Sequence, residues 1–315
     1  MSRRVKIGVI GVGSLGQHHA RIYAQMPEAE LIGVCDVDAE RVAKLAAQHG
    51  TTAYTSMDEL AAKCEALSVV VPTDKHREVA GKLIEKGLHL LVEKPIAATT
   101  AEAEELVALA QKKNVILQVG HIERFNPVMN FLEKLAKNPR FIEAHRLAPY
   151  PPPREGLLPR GTEVSVVLDL MIHDLEIILH LVGSPVREIR AVGVPVLSGS
   201  EDIANVRLQF ENGCVANVTA SRISPEKMRK IRVFIEDTYV SLDYQNQTGE
   251  LYRKTQAGIV REDVPIEKGE PLANELRSFV RCVAGRDQPV VSGEHAAEAL
   301  KLAVEITRRM REGAT

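Results

Sequence analysis

A glycine-rich turn near the start of the chain is the first segment whose residues could do chemistry. Gly11-Val-Gly-Ser-Leu-Gly16 fits the pattern G-x-G-x-x-G, follows an apolar run at residues 5–10 and opens a helical stretch. In that context the glycines permit a tight turn, close approach of the backbone to a pyrophosphate and close helix packing. The N-terminus of the helix stabilises phosphate charge. The predicted phosphate-binding residues are Gly11, Gly13, Ser14, Leu15 and Gly16.

Asp36 lies 20 residues beyond Gly16 and closes a second apolar run at residues 31–35. A carboxylate at that position can accept hydrogen bonds from the hydroxyls of an adenosine ribose, and it would repel a 2′-phosphate. The sequence therefore predicts NAD rather than NADP as the cofactor. A plain glycine turn, with Asp36 serving only as a helix cap, is the alternative.

Polar residues follow two further apolar runs, at residues 66–71 and 89–92. Open α/β sheets bind ligands outside the carboxyl ends of their strands. The segments predicted to line the cofactor there contribute Pro72, Thr73, His76, Glu93 and Lys94. Lys94 could reach a nicotinamide and a sugar hydroxyl at once. A histidine that merely starts a helix and an ordinary exposed lysine are the competing interpretations.

Asp169 and His173 form the third candidate group, four residues apart at the start of a mainly apolar run that continues to Val182. On a helix this spacing puts both side chains on one face. A carboxylate so placed orients an imidazole and stabilises its cation, as an acid–base histidine requires. A buried pair with a structural role explains the spacing equally well.

The elements that must position these residues alternate between strand and helix over roughly the first 120 residues. Their strands are continuously apolar, as a parallel sheet covered on both faces requires. We therefore predict an α/β Rossmann domain with a doubly wound parallel sheet at residues 1–122. Residues 123–315 are predicted to form an α+β substrate-binding and oligomerisation domain with an open, mostly antiparallel sheet. Its final helix, at residues 293–311, could pack back on the first domain.

Length and composition set the boundaries of these predictions. A chain of 315 residues favours two domains. Its 40 basic and 42 acidic residues are intermixed, which argues against nucleic acid as a partner. No leader-like segment and no uninterrupted apolar stretch of about 18 residues stand out, so we expect a cytoplasmic protein without membrane contact. The four scattered cysteines predict neither a metal site nor disulfides.

Taken together, the motifs resemble those of the Gfo/Idh/MocA family of sugar and cyclitol oxidoreductases. The matching positions are Gly11, Gly13, Gly16, His19, Asp36, residues 72–76, residues 93–95, residues 120–127, Asp169 and His173. The resemblance implies that Lys94 lies beside the nicotinamide and the reacting carbon, that His173 accepts the proton, and that Asp169 orients His173. It also implies that the open sheet mediates a homodimer or homotetramer.

Within the family, residues 120–127 and 160–174 are similar to those of bacterial UDP-N-acetylglucosamine 3-dehydrogenases. Those enzymes oxidise the sugar 3-hydroxyl to a ketone on the way to an amino-sugar precursor of lipid A. A nucleotide-sugar substrate is therefore implied. The candidate substrate contacts are Glu123, Arg124, Arg160 and Asp174, with Arg146 and Arg154 as further pyrophosphate partners. Arg160 is favoured because it closely precedes the helix of His173, although solvated arginines are the simpler explanation.

The implied chemistry is an oxidation in which His173 removes the hydroxyl proton while a hydride leaves the same carbon. Lys94 would stabilise the developing alkoxide through a charged hydrogen bond, or would itself be the base. Two other functions compete with this one. The first is an inositol or free-sugar dehydrogenase of the same fold, and the second is a redox sensor that binds NAD(H) without turnover. The sensor is disfavoured because Lys94, Asp169 and His173 are all present.

Overall fold

The computed structural model describes residues 3–153 and 158–313 of the chain. Two compact units emerge from its internal contacts. The first unit comprises Met1–Phe125 with Glu270–Ala297, and the second unit comprises Asn126–Gly269 with Glu298–Thr315. Residues 123–125 and 270–297, which follow the predicted boundary at residue 122, thus belong to the first unit.

The regular elements follow one another in this order along the chain. The first stretch contains β1 (Val5–Ile10), α1 (Gly16–Gln25), β2 (Ala29–Cys35), α2 (Ala39–His49), β3 (Thr52–Tyr54), α3 (Met57–Ala61), β4 (Ala66–Val69), α4 (His76–Glu85), β5 (His89–Glu93), α5 (Thr100–Lys113) and β6 (Leu117–Gly120). The next stretch contains α6 (Pro127–Leu135), β7 (Phe141–Leu147), α7 (Ile172–Val182), β8 (Val186–Val194), β9 (Ile203–Phe210), β10 (Val215–Ser221) and β11 (Met228–Ile235). The last contains β12 (Thr238–Asp243), β13 (Thr248–Thr255), β14 (Gly258–Asp263), α8 (Pro271–Val283) and α9 (Gly293–Glu312).

The sheet of the first unit is parallel throughout, with the strand order β3-β2-β1-β4-β5-β6. The apolar side chains of its central strands are buried, because helices cover both faces of a sheet of this kind. The chain leaves β1 in one direction toward β2 and β3, and returns to β4 on the other side. The carboxyl ends of β1 and β4 therefore meet at a switch point, where such folds bind dinucleotides. The predicted Rossmann fold is confirmed.

The sheet of the second unit has the order β14-β13-β12-β11-β7-β10-β9-β8. All neighbouring strands are antiparallel except β7 and β10, which are parallel. Burial alternates along β7, β9 and β10, so that one face of the sheet packs into the core and the other remains accessible. The predicted open, mostly antiparallel sheet is confirmed.

Several elements of the structure were not predicted. Strand β7 alternates the buried residues Ile142, Ala144 and Arg146 with partly exposed ones, and every residue of β14 is exposed. Helix α8 follows the second sheet in sequence but packs within the first unit. None of the helices in residues 3–153 and 158–313 combines the length and apolarity needed to cross a membrane.

Candidate active site

The glycine turn between β1 and α1 has the geometry that its sequence requires. Gly11 adopts φ +84°, and a Cβ atom there would overlap the carbonyl of Val70. A Cβ atom on Gly16 would overlap the Gly11 carbonyl, so neither position accommodates a side chain. At Gly13, by contrast, no heavy atom of the described residues lies within 4 Å of an added Cβ. That open backbone at the start of a helix fits the close approach of a pyrophosphate, as NAD requires.

Asp36, directly after β2, is tied to the glycine turn. One of its carboxylate oxygens accepts the backbone N–H of Val12 at 2.7 Å, and the other accepts the N–H of Asp38 at 3.1 Å. Each carboxylate oxygen has a second lone pair, so the group can still accept hydrogen bonds from a ribose diol. The Arg41 guanidinium lies 3.6 Å from the same carboxylate. The turn and the predicted ribose-binding group therefore hold one another in place.

His76 joins the ends of two neighbouring strands. Its buried ring lies with Nδ1 2.9 Å from the carbonyl of Pro95 and Nε2 2.9 Å from that of Val71. Burial lowers the pKa of the imidazole, and the neutral ring donates to one of the two carbonyls. Pro72 and Thr73, the other residues predicted here, lie in the intervening segment, with Thr73 opening a short helical turn. His76 thereby fixes the segment after β4 against the Glu-Lys-Pro segment.

Glu93, the last residue of β5, is a largely buried carboxylate with a defined partner. Its Oε1 lies 3.1 Å from Nε2 of the buried His19 on α1. A Cβ atom on Gly120 would meet the Glu93 carboxylate at 3.0 Å, so the paired strand β6 leaves just enough room for it. Burial raises the pKa of Glu93, but the His19 hydrogen bond and the charge of Lys94 outweigh burial and hold that pKa below its ordinary value. Glu93 is therefore ionised.

Lys94 follows Glu93 directly and is half-buried. Its charge acts on two neighbours, lowering the pKa of Glu93 and that of His121. Burial is the larger cause at His121, and together with Lys94 and Arg124 it lowers the pKa of that imidazole to about 3. His121 is thus neutral. Within the first unit, Lys94 therefore interacts electrostatically with the ionised Glu93 and with the neutral His121.

Glu275 is a buried acid in the field of Glu93 that sequence reasoning missed. It lies on α8, is fully buried, and belongs to the first unit. Burial and the charge of Glu93 raise the pKa of Glu275 well above its ordinary value, so it carries a proton. The Tyr23 hydroxyl lies 2.8 Å from that of Ser68, and burial together with the charge of Glu93 raises the pKa of Tyr23. The signal in the sequence is an acid on the apolar stripe that Leu272 and Phe279 mark along α8.

Asp169 and His173 lie in the second unit, on either side of a change in helix type. Asp169 belongs to a π-helical turn, Val167–Met171, and His173 to the first turn of α7. Both side chains are half-buried. Gly161, at φ +83°, packs so closely on Asp169 that an added Cβ would overlap its carboxylate. Single π-helical turns of this kind occur frequently at functional sites.

Asp174, next to His173, is held by Arg146. The guanidinium donates from Nε at 2.7 Å and from Nη2 at 3.1 Å to the two carboxylate oxygens, and both side chains are buried. Two groups predicted separately for the substrate thus form one bidentate pair. Arg160 is exposed, whereas Glu123 and Arg124 are buried in the first unit. Arg154, the remaining arginine candidate, lies outside the described residues.

Comparison with known proteins places the chain among oxidoreductases. The model of the Gfo/Idh/MocA family, described as an oxidoreductase family with an NAD-binding Rossmann fold, matches residues 5–121. The model of the GFO/IDH/MocA C-terminal domain matches residues 138–241.

Individual relatives agree with the family models. The UDP-N-acetylglucosamine 3-dehydrogenase of Acidithiobacillus ferrooxidans is 37% identical over 309 residues, covering 96% of each protein. A solved structure of the enzyme from that organism matches with a TM-score of 0.92 at 36% identity, covering 99% of each chain. The myo-inositol 2-dehydrogenase of Thermotoga maritima is more distant, at 26% identity over 334 residues, covering 98% of this chain and 97% of that protein. The resemblance inferred from the motifs is confirmed, and the chain belongs to the Gfo/Idh/MocA family of NAD-binding oxidoreductases.

Proposed function

We propose that the protein oxidises a secondary hydroxyl of a sugar to a ketone with NAD, and that the substrate is UDP-N-acetylglucosamine, oxidised at its 3-hydroxyl. The observation that carries this proposal is the 37% identity to the A. ferrooxidans enzyme along 96% of the chain. The 3-keto sugar would then serve the synthesis of an amino-sugar precursor of lipid A. We place the reaction in the cytoplasm, where a dinucleotide-dependent dehydrogenase finds its cofactor.

The cofactor site proposed for NAD consists of residues that the first unit holds in place. The glycine turn would receive the pyrophosphate and Asp36 the adenosine ribose, with His76 and Glu93 bracing the segments on either side of Lys94. Pro72 and Thr73 complete the proposed lining. NAD, when bound, supplies the hydride acceptor.

The proposed acid–base chemistry depends on three side chains. His173 accepts the hydroxyl proton, Asp169 orients the imidazole, and Lys94 stabilises the alkoxide by donating a charged hydrogen bond. Arg160 is the proposed contact for the substrate pyrophosphate, since it is exposed. The burial of Glu123, Arg124 and Asp174 favours a supporting position behind the substrate over direct contact.

The proposed activity is tested by following NADH absorbance after the enzyme is mixed with NAD and a panel of UDP-sugars and free polyols. We expect turnover of UDP-N-acetylglucosamine and none of the inositols. Turnover of free polyols alone would overturn the nucleotide-sugar assignment in favour of an inositol-type dehydrogenase. The absence of any signal with the whole panel would favour a sensor, and a stoichiometric signal without turnover would indicate a retained cofactor.

The base is identified by pH–rate profiles of Lys94→Met and His173→Ala. Only loss of the base should remove the acidic limb of kcat/KM. We expect that limb to disappear in His173→Ala and to persist, at a lower rate, in Lys94→Met. The opposite pattern would assign the base to Lys94.

A homodimer or homotetramer built on the open sheet is also proposed. Four aromatic rings form a row across β7, β11, β12 and β13, with centroid separations of 5.6 Å (Phe141–Phe234), 4.6 Å (Phe234–Tyr239) and 5.4 Å (Tyr239–Tyr252). Partly exposed rows of aromatic side chains are typical of surfaces that bind a second protein. Light scattering after chromatography should show an oligomer that Phe234→Glu dissociates. A wild-type monomer would contradict the proposal.

A further inference from the structure

Arg222, directly after β10, is the largest fully buried side chain of the described residues. Its guanidinium donates to three backbone carbonyls, those of Gly161, Val164 and Glu201, the last two at 2.9 Å. It also donates to the carboxylate of Asp202 at 2.8 Å and to the hydroxyl of Ser200 at 2.8 Å. Because all three nitrogens of this buried guanidinium donate hydrogen bonds, the guanidinium fixes the positions of its partners.

The partners of Arg222 belong to two segments of the second unit. One is the approach segment, residues 159–166, which leads into the π-helical turn of Asp169. The other is the β8–β9 loop, residues 195–202. The two segments are also joined directly, since the Val166 N–H donates to the Glu201 carbonyl at 2.9 Å and the Ser200 hydroxyl donates to the Val164 carbonyl at 2.8 Å. Arg222 lies at the junction of both.

Asp202 supplies the negative charge for this junction. One of its carboxylate oxygens accepts the backbone N–H groups of Val196, Leu197 and Ser198 at 2.6–2.9 Å. The other accepts from Arg222 and from the Ser198 hydroxyl. Burial raises the pKa of Asp202, but these hydrogen bonds outweigh burial and hold that pKa far below its ordinary value. The ion pair therefore stays charged at neutral pH.

The contact that links Arg222 to the proposed chemistry is made by Gly161. The Gly161 carbonyl accepts a hydrogen bond from Arg222, and its Cα packs against the Asp169 carboxylate. The position of the Gly161 backbone therefore limits the space available to the Asp169 carboxylate. A shift of the approach segment by a few tenths of an ångström would move the Asp169 carboxylate relative to His173, four residues further along the chain.

We propose that Arg222 is a positioning residue for the Asp169–His173 pair, which it serves by holding the approach segment against the Asp169 carboxylate. The inference rests on the proposed function of that pair. A buried ion pair contributes little to stability compared with apolar residues of the same volume. Specifying the geometry of the approach segment gives a physical reason for a charged group at this position.

The test compares Arg222→Lys and Arg222→Met with Arg190→Lys, a control on an exposed ion pair of the same unit. For the Arg222 variants we expect kcat to fall by about 10- to 100-fold, as for lost supporting groups elsewhere, with KM for NAD unchanged. The Arg190 variant should match wild type. NADH binding and circular dichroism verify that each variant is folded.

The titration of His173, followed by NMR in the protein without NAD, separates positioning from general loss of structure. When Asp169 moves away, the pKa of the imidazole should fall, because its cation loses a negative neighbour. Gly161→Ala, which displaces Asp169 from the other side, should give the same shift and replaces Arg222→Met if that variant does not fold. Folded Arg222 variants with wild-type kcat and wild-type His173 titration would overturn the proposal. The titration does not depend on the substrate, so failure to oxidise UDP-N-acetylglucosamine would count against the proposed function alone.

Discussion

Glu93 and Glu275 lie in the same unit, the first largely and the second fully buried, yet they differ in ionisation. The pKa of Glu93 is below its ordinary value although burial raises it, because the His19 hydrogen bond and the Lys94 charge favour the carboxylate. The pKa of Glu275 is well above its ordinary value, because burial and the charge of Glu93 both disfavour a second carboxylate. The side chains are identical, and only their neighbours differ.

The comparison shows that burial alone does not decide the charge of an acid. A buried carboxylate stays ionised where a donor and a cation face it, and a second acid in its field then takes up a proton. The arrangement leaves one negative charge beside Lys94. That charge is also the one that His19 contacts.

The largest effect is expected from Glu93→Gln, which replaces the ionised carboxylate with a neutral amide. His19 loses a charged acceptor in a buried place, and Lys94 loses the negative charge with which it interacts. We expect the free energy of unfolding in urea to fall by about 3 kcal/mol. The variant should also lower the pKa of Glu275, since the repelling charge is gone. Glu104→Gln, an exposed site on α5, serves as the control, and equal stability of the two variants would contradict the assignment.

Glu275→Gln should act in the opposite direction. The folded-state pKa of Glu275 is raised above its ordinary value of 4.5, so its contribution to stability is complete below that value and is lost as pH rises toward the folded pKa. Glutamine does not titrate. Relative to wild type the variant should therefore gain stability with rising pH, by up to about 1.4 kcal/mol per pH unit above pH 4.5.

Denaturation curves of wild type and Glu275→Gln between pH 5 and pH 8 measure that difference. An infrared difference spectrum of the same two proteins should show a protonated carboxyl band at neutral pH in wild type alone. A pH-independent stability difference would mean that Glu275 is ionised like Glu93.

Gly120→Ala crowds the ionised carboxylate of Glu93 and not that of Glu275. The added Cβ would lie 3.0 Å from the Glu93 carboxylate, which must then shift relative to His19. We expect a loss of about 1 kcal/mol in the free energy of unfolding. Gly81→Ala on α4 is a matched control, because its Cβ meets Leu106 at an ordinary 4.0 Å. That control should be neutral or stabilising, since alanine favours helices.

The sequence predicted those parts of the molecule that depend on neighbours along the chain. The glycine turn, Asp36 and Glu93-Lys94 follow buried strands, and a parallel sheet places the carboxyl ends of its strands at one edge. The open sheet was predicted because strands such as β9 and β10 largely alternate apolar and polar residues along the sequence, and their burial alternates in the same way.

The residues that sequence reasoning missed depend on contacts across long separations. Glu275 is brought to the neighbourhood of Glu93 by α8, which returns to the first unit after the whole second sheet. Arg222 looks like an ordinary charged residue at the end of a strand, and only the fold reveals that it is buried among carbonyls. Strand β14 escaped prediction because it is exposed on both faces and so has no apolar periodicity.

An effect no larger than that of Gly120→Ala is expected from Tyr23→Phe, which tests whether the different ionisation of the two glutamates depends on a nearby hydroxyl. The Tyr23 hydroxyl lies 2.8 Å from that of Ser68, and its removal leaves the serine without this partner. We expect a loss of about 1 kcal/mol, the usual value for one buried neutral hydrogen bond. The infrared band of protonated Glu275 should persist, because burial and Glu93, not Tyr23, keep that acid neutral. Disappearance of the band would show instead that Tyr23 helps to keep Glu275 protonated while Glu93 is ionised.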